Sequence, residues 1–188
     1  RKRYINTQDK DVGIKDLAIC SNGSTYKNIN KSRKVKKIKK RLRRLQRKVS
    51  RKYENNKKGE SYEKTRNIIK LEKEILKLHK RLKNIRTDYI HKTTTEIVKT
   101  KPSRIVMEDL NVMGMMKNKH LSRAIQEQCF YEFIRQMKYK CEWNGIEFVK
   151  ADRFFPSSKL CSECGSINKD LKLSDRIYKC PNCGNVID

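Results

Sequence analysis

The sequence predicts an α/β protein, in which a strand–helix–strand domain contains a long helical insertion and is followed by a small metal-stapled module. Three observations lead to this fold class. Short apolar segments occur on both sides of a helical region, the order expected of an alternating α/β domain. The region between them is strongly basic, with apolar residues at helical spacing. Two Cys-x-x-Cys pairs stand near the C-terminus.

The predicted strands and the last helix follow from apolar segments and turn signals. Residues 13–20 (GIKDLAIC) and 24–29 are expected to pair across the hairpin turn Asn22-Gly23. A further strand is predicted over 104–112, a helix over 119–143 and a strand over 146–149, with Gly145 after the helix end. We expect Trp143 to anchor that helix end in the core.

The insertion, over about residues 31–99, is predicted to be a helical hairpin. Its two halves each carry apolar residues spaced alternately by three and four, which forms a seam along one helical face. A polar loop separates the halves, so the seams should face each other in antiparallel helices. The seams are Val35, Ile38, Leu42, Leu45 and Val49, then Ile68, Leu71, Ile75, Leu78, Leu82, Ile85 and Tyr89.

The charge of the chain indicates a polyanionic partner. Lys and Arg number 48 against 21 Asp and Glu, giving a formal charge of +27, and a nucleic acid would release counterions on binding such a chain. No apolar run approaches the roughly 20 residues of a membrane span, so we expect a cytoplasmic protein with no membrane partner and no small-molecule substrate.

The first half of the insertion is the predicted nucleic-acid contact. Twelve of the eighteen residues 31–48 are basic, and no acidic residue occurs over 17–53. The alternative is that these charges only solvate the hairpin, but a solvated helix usually mixes both signs. The candidate phosphate-binding residues are Lys34, Lys37, Arg41, Arg44 and Lys48.

The four C-terminal cysteines predict a structural zinc site. Cys161 and Cys164 form one Cys-x-x-Cys pair, and Cys180 and Cys183 form the second after fifteen intervening residues. Four thiolates at this spacing suit one tetrahedral zinc. Disulfides are the alternative, but the other three cysteines have no pairing logic and suggest buried thiols in a reducing compartment.

Acidic residues on the strands could form a second metal site, of the kind that holds Mg²⁺ through carboxylate oxygens. Glu108 is the best candidate, because it follows three apolar strand residues and has no local salt-bridge rationale. Asp11 and Asp16 are offered by the first strand region. The alternative is that these acids simply end edge strands.

Several of these segments together resemble one family. GIKDLAICSNG (13–23), IVMEDLNV (105–112) and FFPSSKLCSECG (154–165) followed by CPNCG (180–184) are similar to the C-terminal half of TnpB (OrfB) proteins. These are RNA-guided DNA nucleases of insertion sequences, related to the miniature type V CRISPR effectors.

The resemblance implies an RNase H-like (RuvC) nuclease domain over 1–155 and a zinc ribbon over 156–188 that ends before the third catalytic motif. It implies three acids that bind two Mg²⁺, with DNA and a guide RNA as partners. Glu108 matches the second catalytic acid, and the four cysteines match the zinc ligands. Asp11 and Asp188 are the candidates for the other two acids.

Departures from the family motifs leave alternatives open. The first family motif resembles Gly-Ile-Asp-Leu-Gly, so Asp11 before Gly13 could be its acid, or the catalytic acid could be missing before Lys15. The chain is therefore expected to be an RNA-guided, metal-dependent DNA endonuclease, either with all its catalytic acids or as an incomplete copy. The alternatives are a nuclease-dead nucleic-acid-binding relic or repressor, and an RNA-associated zinc-ribbon protein.

Overall fold

The computed structural model describes residues 7–152, 159–161, 163–168, 170, 171 and 177–187. The chain divides into two compact units, Arg1–Lys150 and Ala151–Asp188. The boundary that the sequence predicts, after residue 155, lies among residues 153–158, outside the described residues, and stays a prediction.

The first unit is built on a five-stranded sheet of order β3-β2-β1-β6-β7. Strand β1 pairs antiparallel with β2 and parallel with β6, and β2 pairs antiparallel with β3. The strands of the first unit are β1 (Thr7–Asp11), β2 (Asp16–Cys20), β3 (Thr25–Lys27), β4 (Lys57–Lys58), β5 (Ser61–Tyr62), β6 (Arg104–Glu108) and β7 (Glu147–Ala151). Strands β4 and β5 form a separate small hairpin.

Two strand predictions need correction. The predicted strand over 13–20 begins only at Asp16, and a strand that the sequence did not predict, β1, precedes it. The predicted strand over 104–112 ends at Glu108, because Asn111 caps a short helix by accepting a hydrogen bond from Gly114 N at 2.9 Å.

The insertion forms the predicted pair of helices. The α-helices of the described residues are α1 (Arg33–Asn55), α2 (Arg66–Lys99), α3 (Val112–Met116), α4 (Ser122–Gln128) and α5 (Phe130–Trp143). Ser32 caps the start of α1, since its hydroxyl accepts a hydrogen bond from Val35 N, and Thr65 caps the start of α2 by accepting from Ile68 N. The small β4–β5 hairpin joins the two helices.

The apolar seams of α1 and α2 pack against each other in a cluster of their own. A second, larger cluster lies between the sheet and helices α2, α4 and α5, and contains Phe130, Phe133 and Met137 at no more than 1% exposure. The hairpin cluster comprises Val35, Ile38, Leu42, Leu78 and Leu82, with Ile29, Leu45, Ile75 and Ile85 packed against it. Helix α2 therefore contributes to both cores.

The single helix predicted over 119–143 is two helices. Cys129 has a left-handed backbone, with φ of 54° and ψ of 44°, and it separates α4 from α5. Trp143, predicted as a core anchor, is instead 78% exposed at the end of α5. Its ring makes an edge contact with Tyr139, with the centroids 4.7 Å apart.

Buried polar side chains join the helical layer to its neighbours. Lys140 is buried on α5, and its Nζ donates to the carbonyl oxygen of His91 at 2.8 Å and to Thr94 Oγ1 at 2.6 Å on α2. Gln128 Nε2 donates to the carbonyl oxygen of Gly13 at 2.8 Å, which ties the end of α4 to the loop between β1 and β2.

The second unit contains strands β8 (Tyr178–Lys179) and β9 (Val186–Ile187), which pair antiparallel. Its core consists of Cys161, Tyr178 and Cys180, with Leu171 packed against them. Among the described helices of the whole chain, none is long and apolar enough to cross a membrane.

Candidate functional site

Two neighbouring parallel strands of the sheet end on acidic residues. The register pairs Lys10 of β1 with Met107 of β6, so the next residue of each strand, Asp11 and Glu108, is also its last. The backbone therefore brings these two positions to the same edge of the sheet.

Glu108 is accessible and Asp109 is engaged elsewhere. Burial alternates along β6, with Ile105 and Met107 in the core and Glu108 exposed. Asp109 Oδ1 accepts from Lys150 Nζ of the adjacent strand at 3.1 Å. Glu108 is thus the strand-end carboxylate of β6 that is free to bind a cation that prefers oxygen ligands. Asp109 instead contacts Lys150 of β7. Asp188 lies outside the described residues.

The four predicted cysteine ligands converge in the second unit. Their Sγ atoms all lie within 4.8 Å of one another, with Cys161 to Cys183 at 3.6 Å and Cys164 to Cys180 at 3.5 Å. Tetrahedral thiolates around one zinc, at metal–sulfur bonds of about 2.3 Å, would stand about 3.8 Å apart. The cluster is therefore of the right size for one metal ion with four sulfur ligands.

Each cysteine pair sits in the same type of backbone turn. In the first, Gly165 N donates to the carbonyl oxygen of Cys161 at 3.0 Å, and in the second, Gly184 N donates to that of Cys180 at 3.1 Å. Both glycines have positive φ, +70° and +72°, a conformation that costs other residues steric strain. The two turns aim all four thiols at one point.

Hydrogen-bond donors surround the thiol of Cys180. The backbone N–H of Cys183 and the hydroxyl of Ser166 lower its pKa to about 5, and the N–H of Asn182 acts in the same direction. Ser166 Oγ lies 3.1 Å from Cys180 Sγ and 3.0 Å from Cys164 Sγ. A thiolate is the metal-binding form of cysteine, so these donors favour ligation by Cys180. At Cys183 the N–H of Asn185 is outweighed by the neighbouring thiols, Cys180 first, which raise the pKa of Cys183 to about 12.

The predicted phosphate-binding residues are all exposed along one flank of α1. Of these, Arg41 forms an ion pair with Glu74 of α2, with Nη2 and Oε2 3.5 Å apart. Their contact with nucleic acid stays a prediction.

Sequence reasoning missed a second group of cations, which gathers around Glu127 of α4. Lys39 forms a hydrogen-bonded ion pair with this carboxylate at 2.5 Å, Arg123 lies at 3.4 Å and Arg86 at 3.7 Å. Burial raises the pKa of Glu127, but Lys39 and Arg86 outweigh burial, so the pKa is lowered. The spacing of Arg123 and Glu127, four residues apart on α4, was the signal in the sequence, and only the packing of three helices brings Lys39 and Arg86 to the same carboxylate.

Comparison with known families accounts for most of the chain. Residues 10–119 match the OrfB_IS605 family, described as a probable transposase. Residues 130–188 match a second family, described as the Cas12f1-like TNB domain.

Individual relatives agree with the family matches. A protein of Streptomyces pristinaespiralis named as a putative RNA-guided DNA endonuclease is 36% identical over 178 residues, which are 95% of this chain and 41% of the relative. A protein of Escherichia coli (strain K12) with the same kind of name is 32% identical over 186 residues, 90% of this chain and 42% of that protein. The chain thus spans less than half the length of these relatives.

A solved structure shares the fold. The chain of a cryo-EM structure titled as the Cas12f1–sgRNA–target DNA complex matches 95% of this chain and 45% of its own length, with a TM-score of 0.52 and 21% identity. Because the OrfB_IS605 match alone covers more than half of the sequence, the chain belongs to the TnpB (OrfB) family of probable transposases.

Proposed function

We propose that this chain is the RuvC-like and zinc-ribbon portion of an RNA-guided, metal-dependent DNA endonuclease. The observation that carries the proposal is the edge of the sheet at which β1 and β6 end on Asp11 and Glu108. The strand order, with three antiparallel strands followed by a parallel neighbour, supports an RNase H-like domain. The names of the relatives point to the same activity.

The residues at this edge suit the chemistry of phosphodiester hydrolysis. Carboxylate oxygens are ligands that Mg²⁺ prefers, and the donors here are an accessible glutamate and a second strand-end acid. Mg²⁺ bound there would activate water and stabilise the charge on the leaving oxygen. Glu108 would hold the Mg²⁺ ion at a fixed place beside the scissile phosphate.

The cysteine cluster of the second unit supports structural zinc rather than magnesium. Its donors are four sulfurs, which suit zinc, whereas Mg²⁺ requires oxygen ligands. The two metals would therefore occupy different sites with different duties, one in hydrolysis and one in folding.

Cleavage of labelled single-stranded DNA by the zinc-loaded chain in Mg²⁺ tests the proposal. We expect Glu108→Ala to lower the rate by about 100-fold or more, because charge stabilisation is usually the largest catalytic contribution. The control is Glu142→Ala, an exposed acid on α5, which should cleave like the parent. An Asp11→Ala variant decides whether Asp11 is the first acid or whether that acid is missing.

The nuclease-dead alternative predicts a different result from the same experiment. A parent chain that binds DNA in a salt-dependent way but cleaves none would contradict the endonuclease proposal for this chain. The high positive charge of α1 does not depend on Asp11 or Glu108. The chain would then bind nucleic acid without cleaving it.

A further inference from the structure

A concave groove lies on the side of the helical hairpin that faces α4. Its volume is about 780 Å³, and three helices contribute to its walls. Helix α1 lines the groove with Lys39, Leu42, Arg43 and Gln46, and α4 lines it with Arg123, Gln126 and Glu127. Helix α2 contributes His79, Lys80, Leu82, Lys83, Asn84 and Arg86. Six of these thirteen residues are Lys or Arg and one is acidic, so the groove is strongly cationic.

Glu127, the acid of the groove, forms ion pairs with three of the groove's cations and not with the other three. Glu127 is the partner of Lys39, Arg86 and Arg123. Arg43 and Lys80 on the groove wall are exposed, and neither forms an ion pair with an acid in the described part of the chain. Lys83 is also exposed and forms no ion pair in that part of the chain, although Glu132 of α5 lies close enough to interact with it electrostatically. The groove therefore holds three cations that its own acid does not engage.

The positive surface continues along α1 beyond the groove. Lys39, Arg43 and Arg47 follow one another at intervals of four residues, which places them in a row along one face of the helix. Two shallower concavities beside the groove share this row, since one is lined by Arg43, Arg47 and Arg51 and the other by all three members of the row.

The opposite flank of the hairpin is electrostatically different. There Arg41 pairs with Glu74 of α2. This acid reduces the local positive charge on that flank. A concave cationic surface also attracts an anion more strongly than a convex one, because its low-dielectric walls focus the field.

We propose that this groove, with the row Lys39, Arg43 and Arg47, seats the phosphodiester backbone of an RNA or DNA strand. The inference rests on the proposed nucleic-acid function and specifies the surface that serves it. Arg43, Lys80 and Lys83 contact phosphates, and Glu127 is a positioning residue that orients the cations around it. The amide side chains of Gln46, Asn84 and Gln126 are the groups that can hydrogen-bond to sugars.

Two triple variants with the same change of charge test the proposal. The groove variant carries Arg43→Gln, Lys80→Gln and Lys83→Gln, and the flank variant carries Lys34→Gln, Lys37→Gln and Lys48→Gln. All six side chains are exposed, so both variants should fold, which circular dichroism and thermal unfolding check. Affinity is measured against salt concentration without Mg²⁺, for labelled single-stranded RNA and single-stranded DNA of one sequence.

We expect the groove variant to lose about 2 to 3 units of the log–log salt slope, since each neutralised phosphate contributes about 0.7 to 0.9. The flank variant removes residues that the sequence predicts as phosphate contacts. If the groove is the contact instead, this variant should lose less than one unit of slope. An effect confined to RNA, or to DNA, supports the groove and identifies its strand. A conservative groove variant, with Arg43→Lys, Lys80→Arg and Lys83→Arg, should retain the parental slope.

Equal losses in the two triple variants, or a larger loss in the flank variant, would overturn the groove while leaving the proposed endonuclease intact. A parent chain whose affinity for both strands is independent of salt would overturn the groove and the nucleic-acid function together.

Discussion

Gly145 follows the end of α5 and has a backbone conformation that other residues rarely adopt. Its φ is +64°, and a Cβ added to it would meet no atom within 4 Å. The penalty of a side chain is therefore backbone strain alone, about 1–2 kcal/mol. We expect Gly145→Ala to lower the free energy of unfolding of the first unit by that amount, measured by urea denaturation followed by the helical circular dichroism signal.

Gly13→Ala is the matched control for this substitution. Gly13 does not have positive φ, and the nearest atom to an added Cβ would be the carbonyl oxygen of Asp16 at 3.6 Å, an ordinary contact. This variant should be neutral or slightly stabilising, because alanine restricts the unfolded chain. Equal destabilisation by both changes would contradict the conformational argument.

Glu132 makes the stability of the protein depend on acid pH. Hydrogen bonds from Arg135 at 2.8 Å, against the opposing effect of burial, lower the pKa of Glu132 to about 2. The folded state therefore binds fewer protons than the unfolded state between about pH 4.5 and pH 2. The stabilisation is complete above this range and is lost as the pH falls through it.

Replacing that carboxylate should flatten the acid response. Over the same range we expect Glu132→Gln to lose less stability than the parent, as thermal unfolding at a series of pH values would record. Glu142→Gln, which changes an exposed carboxylate on the same helix, should keep the steep parental response. Parallel curves for the parent and Glu132→Gln would show that another group is responsible.

At the level of elements, the helical hairpin depends on its apolar seam. Leu78 is 7% exposed in the cluster between α1 and α2, whereas Leu76, two residues earlier on the same helix, is 66% exposed. Leu78→Ala should destabilise the hairpin by about 2–5 kcal/mol, through lost burial and the cavity left behind.

Hydrogen exchange of the α1 and α2 amides measures this effect, with Leu76→Ala as the control of identical chemistry. The control should leave amide protection nearly unchanged. Comparable loss of protection in the two variants would mean that the seam does not hold the helices together.

The same hairpin shows why some elements can be predicted from sequence and others cannot. Apolar residues repeated over many turns of α1 and α2 identify a buried face without any tertiary information. Strand β1 has the sequence TQDKD and no apolar residue, so nothing local distinguishes it from a loop. Its strand conformation comes from pairing with β2 and with β6, of which β6 is distant in the sequence. The break at Cys129 likewise has no signal in the residues around it.

For the whole molecule, metal removal should affect the two units differently. The second unit has a core of only three buried residues, two of them cysteines of the cluster, among the residues that the structure describes. Its metal would therefore supply most of its folding energy, on the order of 10 kcal/mol. A strong zinc chelator should abolish amide protection at Tyr178 and Cys180. Amides of Ile105 and Met107, which belong to the large core of the first unit, should stay protected.

A Cys183→Ser variant is the genetic counterpart of the chelator and should show the same pattern of lost protection. Undiminished protection of the second unit without metal would contradict a structural metal site. Loss of protection in both units at once would contradict their separate cores.

The clustering of the four cysteines was easier to predict from the sequence than the cationic groove, for a physical reason. Cys161, Cys164, Cys180 and Cys183 are positioned by two local turns, so their spacing in the chain already carries the geometry. The groove beside Glu127 draws on three helices, and which flank of α1 meets α4 is decided by packing. From the sequence alone, only the excess of basic residues can be predicted.

Helix α2 has a mechanical consequence for the first unit and for whatever binds it. It runs for 34 residues without Gly or Pro, a rod of about 51 Å. The hydroxyls of Thr94 and Thr95 donate to the carbonyl oxygens of Ile90 and His91, four residues earlier, which is a contact that tends to bend a helix slightly. Its C-terminal half lies in the core of the sheet through Ile90 and Ile97, and its N-terminal half carries α1. A small change in the angle of α2 within the sheet core would therefore move the β4–β5 hairpin, at the far end of the helix, through a much larger distance.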